Sequence, residues 1–351
     1  RRLHEMSLIL VINPGSTSTK VAVFGDGKEV FKKTLPLHDD MLDLPLFPDQ
    51  YTIRKDQILK ELDRNGIRPS QMTAVAARGG RLKPLNSGVY RINREMVDDA
   101  RKGLQGIHPA NTAVVIAFEL AQEFGMQAFT VDPISVDELA EWARITGIEE
   151  IRRNSLSHAL NMKAVAKKAA TELGKSYEEA KLIVAHLGGG SSVSAHLNGK
   201  MVDLYNSDKE GPFSVERAGA LPTHELAEFA RSRDDYLEYL AHRGGLFSHF
   251  GMRDVERIAE GVKNGEIDFT PLEAYIYNIA KYSYSLLAVF DGFPDALAIT
   301  GGVVKCDYVR ERLLEKLRGI RVLLFPGEFE MESLADGAHR VIRGIEDALE
   351  Y

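Results

Sequence analysis

The chain has 351 residues, 44% of them hydrophobic and 27% charged, with a formal net charge of −7. That is the composition of a soluble globular protein long enough for two ordinary domains, each with its own core. The acidic balance argues against a nucleic-acid or anionic-membrane surface, and a single cysteine, Cys306, excludes an internal disulfide and fits a reducing cytoplasm.

The N-terminal RRLHEM has no apolar h-region, so no secretory signal is read there, and Met6 reads as the natural start. Residues 8–12 are a short apolar run that stops at Asn13-Pro14-Gly15. The hydroxyls of Ser16, Thr17 and Ser18 follow, then Thr19 and Lys20, a second apolar run over residues 21–24, and Asp26-Gly27. The pattern is strand, polar glycine turn, strand, tight hairpin, strand. Its first turn offers backbone N–H groups, hydroxyls and an ammonium to an anion. It lacks the Walker A spacing, and no helix follows it.

Residues 55–65 have helical spacing and end at Gly66; residues 73–77 form a short buried strand running into Arg78-Gly79-Gly80. Asn93 is an N-cap, and His108-Pro109 opens a helix to about Phe124. Residues 127–131 are a strand ending at Asp132-Pro133, and Ser135 with Glu138 reads as a capping box for a further helix. Arg78, between a buried strand and two glycines, is poorly placed as a solubilising charge and well suited to grip a carboxylate or phosphate. Asp132 sits where a strand's carboxyl end meets a ligand, its bland alternative being a cap on the next helix.

A helix over residues 158–173 leads to an apolar strand ending at His186-Leu187, then Gly188-Gly189-Gly190-Ser191-Ser192, another extended run, and Asn198-Gly199. This repeats the opening unit: Asp26 and Asn198 stand about 172 positions apart, as in two copies of one domain. The apolar segment 276–290 contains Lys281 and three tyrosines and reads as a buried helix, not a membrane span. Residues 296–300 are a buried strand, Gly301-Gly302 a turn, and residues 307–317 a helix, a unit with backbone N–H groups free to meet a ligand. A strand over residues 320–325 and a helix from about Met331 to the end close the chain.

With these runs in view, the chain resembles the acetokinase family of the acetate and sugar kinase/Hsp70/actin superfamily. NPGSTSTK (13–20) resembles the first phosphate motif of acetate kinases, HLGGGSS (186–192) the second, and ITGG (299–302) the adenosine-side turn. ARGG (77–80), IHPAN (107–111), SLSHALN (155–161), GPFSVERAGALP (211–222) and the tail over 326–335 are closer to butyrate kinases. The similarity extends over essentially the whole chain beyond Met6.

The resemblance implies an α/β fold of two duplicated ribonuclease H-like domains with an interdomain nucleotide cleft. One would comprise residues 1–134 with a C-terminal helix 331–351, the other residues 135–330. It implies ATP/ADP binding by Asn13, Ser16, Thr17, Ser18, Lys20, His186, Gly188, Gly189, Gly190, Ser191, Gly301 and Gly302. It further implies Mg²⁺ near Asn13 and Asp132, and catalysis by Arg78, Asp132 and Arg217. Lys305 replaces the glutamate that follows the adenosine-side glycines, and Ala77 replaces a valine beside the presumed substrate site.

The expected reaction is reversible phosphoryl transfer from Mg-ATP to butyrate or a similar short-chain carboxylate, giving an acyl phosphate and ADP. A homodimer or higher homo-oligomer is also implied, with no nucleic-acid or membrane partner and a cytoplasmic location. Acetate, propionate and branched acids such as isobutyrate are the alternative substrates. A non-metabolic ATPase of the Hsp70 or actin kind would need an appended peptide-binding domain or polymer interface, and none is expected after Tyr351.

Overall fold

β1 (Leu8–Pro14) is apolar on both faces and almost wholly buried, the mark of a central strand covered from both sides. The structure, a computed structural model, describes residues 7–351; the reading of Met6 as a start lies outside them. β1 pairs antiparallel with β2 (Ser18–Gly25), which pairs antiparallel with β3 (Lys28–Pro36). On its other side β1 runs parallel to β4 (Ala74–Ala77), and β4 runs parallel to β6 (Gln127–Val131). β5 (Val89–Arg91) closes the sheet, giving the order β3-β2-β1-β4-β6-β5. Two helices, Ala110–Phe124 and Glu330–Ile342, pack on the same three strands β1, β4 and β6. Leu10, Ile12, Val75 and Ala77 share a core with the first of these helices, which leaves the opposite face to the second.

The second sheet repeats the first. β7 (Leu182–Leu187) pairs antiparallel with β8 (Ser191–Leu197), β8 with β9 (Lys200–Asn206), and β7 runs parallel to β10 (Ala296–Gly301) and β10 to β11 (Val322–Pro326). Its order, β11-β10-β7-β8-β9, mirrors β6-β4-β1-β2-β3. Both hairpins turn through two residues of positive φ, Asp26 (47°) with Gly27 (80°) and Asn198 (53°) with Gly199 (71°), the twist-matched geometry that Asx-Gly pairs favour. Each ladder also shifts register close to that turn, at Val23/Phe24 and at Ala195/His196.

The chain divides into two compact units. One runs to Asp137 and takes in Phe329–Tyr351; the other is Glu138–Glu328. Two sequence expectations are corrected. No helix starts at Ser135: a turn over residues 133–136 leads into a single bridge between Val136 and Leu85, the carbonyl of Ser135 accepting from Leu85 N–H and Asp137 N–H donating back to Leu85. Glu138 is taken by Lys163 instead of a helix start. The last helix ends at Ile342, where Gly344 turns at φ +69°, and Leu349 then bridges to Tyr90 as added strand. Between β9 and β10 the second unit also builds helices Thr223–Arg231, Tyr236–His242, Val255–Lys263 and Thr270–Ser285, of which only the last was legible as an apolar run. Among the described residues no helix is long and apolar enough to cross a membrane.

Candidate functional site

In the first unit, three neighbouring parallel strands bring their carboxyl ends to one sheet edge: Asn13 on β1, Arg78 just past β4, and Asp132 just past β6. Ile12 pairs with Ala77, so Asn13 and Arg78 emerge side by side. Lys20 is the cross-strand partner of Asn13 and so points to the same face. The missing member comes from the far end of the chain. Glu330, buried at the start of helix Glu330–Ile342, accepts from Asn13 Nδ2 at 2.7 Å and pairs with Arg78 at 3.4 Å. Asn13, Arg78 and Glu330 form one cluster of an amide, a cation and a carboxylate.

Asp132 does not join it through a direct contact. Its Oδ1 accepts from Ser87 Oγ at 2.6 Å and from Gly88 N–H at 2.9 Å, while Oδ2 has no hydrogen-bond partner among the described residues. The residue holds φ +40°, a conformation Asp tolerates better than most and one found often at functional positions. The glycines after Arg78 answer to the fold. A Cβ on Gly80 would lie 2.0 Å from Asn111 Oδ1, and one on Gly79 would lie 2.3 Å from Pro133. Ala77 is fully buried in the core beneath helix Ala110–Phe124.

The first turn is tight: Gly15 N–H donates to Ser18 O at 2.8 Å, which puts Ser16 and Thr17 at an exposed tip. The hydroxyls of Ser16, Thr17 and Ser18 make no hydrogen bond among the described residues, so this turn presents donors outward.

In the second unit His186 ends β7, level with Thr300 on β10. Asn161 Nδ2 lies 2.9 Å from His186 Nδ1 and donates to Thr300 Oγ1 at 3.3 Å. The ring of His158 stacks on His186 with centroids 4.1 Å apart, and its Nδ1 lies 2.9 Å from Ser192 Oγ. His186 is thus fixed on two sides, with its Nε2 toward Gly188, where a Cβ would stand 3.3 Å away. His108, by contrast, caps its own helix, its Nδ1 accepting from Ala110 N–H at 3.1 Å.

Arg217 lies directly over the second turn. A Cβ on Gly190 would fall 2.3 Å from its NH1, so only glycine admits the guanidinium here. Asp208 pairs with NH1 at 3.0 Å, and Nε is buried without a partner. Ser214 ties the two loops together: its hydroxyl donates to Gly189 O at 2.6 Å and accepts from Arg217 N–H at 3.1 Å. Ser191 is fully buried, and its N–H is spent on Ser207 Oγ.

Gly188, Gly189 and Gly302 line one cavity of about 390 Å³ together with Glu216, Arg253, Asp254, Glu256, Cys306 and Glu328. Gly301 is fixed beside it by φ +102° and by Leu187 O, 2.1 Å from where its Cβ would be, whereas Gly302 faces open space. Arg253 pairs with Glu216 at 2.8 Å and lies over the Phe247 ring. Burial and the neighbouring Glu256 push the Cys306 thiol up, so it is an unreactive wall residue. The sequence signal for this wall was slight: Asp254 does cap helix Val255–Lys263, accepting from Arg257 N–H.

Chemically, the first unit offers outward N–H and hydroxyl donors with an arginine and hard oxygen ligands. The second offers a glycine turn under an arginine, a positioned histidine and a cavity of nucleoside size. Among the described residues no group of three or more His, Cys, Asp or Glu is placed to hold a metal ion. Asn13 Oδ1 and the Glu330 carboxylate are hard oxygens of the kind Mg²⁺ takes, one or two from protein with water and substrate phosphate filling the shell, although here Asn13 Nδ2 and Arg78 engage both Glu330 oxygens.

The acetokinase family profile matches residues 141–342, more than half of the chain. The fold is shared with acetate kinase from Porphyromonas gingivalis (TM-score 0.74, 21% identity) over 95% of this chain and 99% of that one. It is shared over the same proportions with a propionate kinase from Francisella tularensis subsp. tularensis SCHU S4 (0.74, 19%). Acetate kinase from Entamoeba histolytica (0.76, 17%) likewise matches over 95% of this chain and 99% of its own. At these identities the structural likeness speaks for the fold, and the matched profile for descent. The chain belongs to the acetokinase family, phosphotransferases whose acceptor is a carboxyl group.

Proposed function

We propose that the protein is a butyrate kinase, catalysing reversible phosphorylation of butyrate or a similar short-chain fatty acid by Mg-ATP to an acyl phosphate and ADP. One observation carries the reading: an arginine stands at the carboxyl edge of each repeated sheet, Arg78 beside Asn13 and Glu330, and Arg217 over Gly190. A carboxylic acid with pKa of about 4.5 is already ionised at neutral pH, so the reaction needs no general base. Its difficulty is bringing one anion against another, which calls for cations and N–H donors.

In this reading Arg78 and Arg217 neutralise the carboxylate and the transferred phosphoryl. Ser16, Thr17, Ser18 and Lys20 donate to phosphate from one turn, and Gly188, Gly189, Gly190 and Ser191 form the other. His186 donates from Nε2, and Gly301 and Gly302 border the nucleoside. Asn13 and Glu330 would hold Mg²⁺, with Asp132 on the same sheet edge, and the ion would draw charge off the phosphates.

Butyrate is favoured over acetate or propionate by the runs ARGG, IHPAN and SLSHALN, which resemble butyrate kinases. Acyl hydroxamate formation with acids of two to five carbons tests the choice. The highest kcat/KM is expected with butyrate; a higher value for acetate, propionate or isobutyrate reassigns the substrate, and none with any acid rejects the kinase reading. A homodimer or larger assembly belongs to the same proposal. Trp142, Ile145, Ile148 and Ile151, all more than half exposed, offer an apolar stretch to a second copy, which light scattering tests. A cytoplasmic location is likewise proposed, on the single, reduced Cys306.

A further inference from the structure

Arg54, on helix Tyr51–Arg64, is completely buried and heads the large side chains with no solvent contact. Its NH1 donates to Ser18 O at 3.1 Å and Thr19 Oγ1 at 2.8 Å; its NH2 donates to Gly15 O at 2.9 Å and Gln50 Oε1 at 3.2 Å. All four acceptors are neutral, and no carboxylate pairs with Arg54 among the described residues. Desolvation alone drags its pKa down to about 10. An interior cation without a counter-charge is costly, and cores rarely keep one unless something recovers the loss.

The bonds show where the recovery lies. Both carbonyls that Arg54 holds belong to the turn of residues 15–18. The peptide is planar and trans, so drawing the Gly15 carbonyl inward turns the Ser16 N–H outward, toward the exposed tip. A guanidinium bound to the carbonyl side also polarises the peptide and strengthens the N–H as a donor. A neutral donor such as glutamine could satisfy these carbonyls, but only a cation leaves the turn with unbalanced positive charge.

We propose that Arg54 is a positioning residue for the phosphate site at this turn. It fixes the carbonyls inward and supplies the buried positive charge that a bound phosphate neutralises. The proposal rests on the reading of residues 13–20 as a phosphate turn. A unit charge roughly 7 Å from a bound anion, in an effective dielectric of about 20, is worth on the order of ten- to fifty-fold in affinity.

The test compares the full chain with Arg54→Gln and Arg54→Lys, each checked by circular dichroism and thermal melting. Calorimetric affinities for inorganic phosphate and for Mg-ATP are the readout, with hydroxamate turnover in parallel. Arg54→Gln should weaken phosphate about ten- to fifty-fold. Arg54→Lys should stay within about threefold at pH 7, then lose affinity as pH rises, because the same desolvation lowers the lysine from its ordinary value of about 10.4. Each variant is read as its ratio to wild type, which cancels the titration of phosphate itself, over about pH 7–8.5, below the value of about 10 at which Arg54 would lose its own charge. The groups facing Arg54 are Gln50, Thr19 and two carbonyls, none titratable, so a falling ratio belongs to the lysine.

A merely structural arginine would impair both variants equally and without pH dependence, which overturns the proposal, as does wild-type affinity in Arg54→Gln or failure of both variants to fold. If only Arg54→Gln fails to fold, the lysine's own pH profile decides. Wild type binding neither phosphate nor ATP would reject the phosphate turn along with this proposal. Wild type that binds phosphate but forms no hydroxamate rejects the substrate reading alone, and the variant ratios still decide on Arg54.

Discussion

Arg217 and Gly190 are in mutual contact so close that a Cβ on the glycine would stand 2.3 Å from the guanidinium NH1. Gly190→Ala must therefore displace the arginine while leaving Arg217 in the sequence. With Asp208 and Ser214 holding the loop, the fold should survive, and kcat in the hydroxamate assay should fall on the order of 10²–10³-fold. The double variant with Arg217→Ala should be little worse than either single one. Additive losses would show that the contact does not transmit the effect.

Gly301 and Gly302 are neighbours with opposite constraints. Gly301→Ala places a methyl 2.1 Å from Leu187 O at φ +102°, and should destabilise the second unit by about 3 kcal/mol or more. Gly302 has φ −69° and nothing within 4 Å of a built Cβ, so alanine should leave the melting temperature within about 2 °C. It would nevertheless narrow the cavity, raising KM for ATP several-fold. An unchanged KM would remove Gly302 from the nucleotide's surroundings.

Glu330→Gln keeps the size of the side chain and removes the charge that faces Arg78 and Asn13. The Mg²⁺ concentration for half-maximal activity should rise at least about tenfold. An unchanged Mg²⁺ titration would confine Glu330 to pairing with Arg78.

His196 sits fully buried between Tyr177 OH and Ser194 Oγ, each at 2.8 Å, and burial with the nearby Lys163 pushes its pKa down to about 3. Unfolded, it titrates near its ordinary value of about 6.5. Between about pH 6.5 and 3 the unfolded chain therefore takes up a proton the folded one refuses. Stability should fall as the pH drops through that window, by up to about 1.4 kcal/mol per pH unit from this group, with no such loss above it. His196→Gln should start less stable but show a shallower acid limb in melting from pH 7.5 to 4.5. Parallel limbs would exclude His196 as the source.

Much of this was legible in the sequence because it is local. Asx-Gly hairpins, glycine turns after apolar runs and the spacing of their repetition depend on a few adjacent residues, and each reappears with its own φ values and register. The misreadings came where a distant segment outbid a local signal. Ser135 and Glu138 have the chemistry of a helix start, but Leu85 and Lys163 claim them. Glycines beside Arg78 look like room for a ligand, but Asn111 and Pro133 fill that room. Glu330 and Arg54 were invisible as site residues for the same reason. Nothing near them in sequence says that one ends beside Asn13 and the other beneath Gly15.

The partition of the chain has a consequence for its birth on the ribosome. Glu138–Glu328 is one uninterrupted segment, able to fold once it has emerged, whereas the other unit is split and its closing helix is translated last. Asn13 waits 317 residues for Glu330. Until then β1, β4 and β6 lack the cover of that helix on one face, and the nascent chain holds an aggregation-prone surface with Asn13 lacking its carboxylate partner. A polypeptide stalled before Phe329 would carry the second unit's cavity but no Glu330 to complete the cluster at the first sheet's edge. Synthesis itself thus postpones the Asn13–Arg78–Glu330 cluster to the first turn of helix Glu330–Ile342.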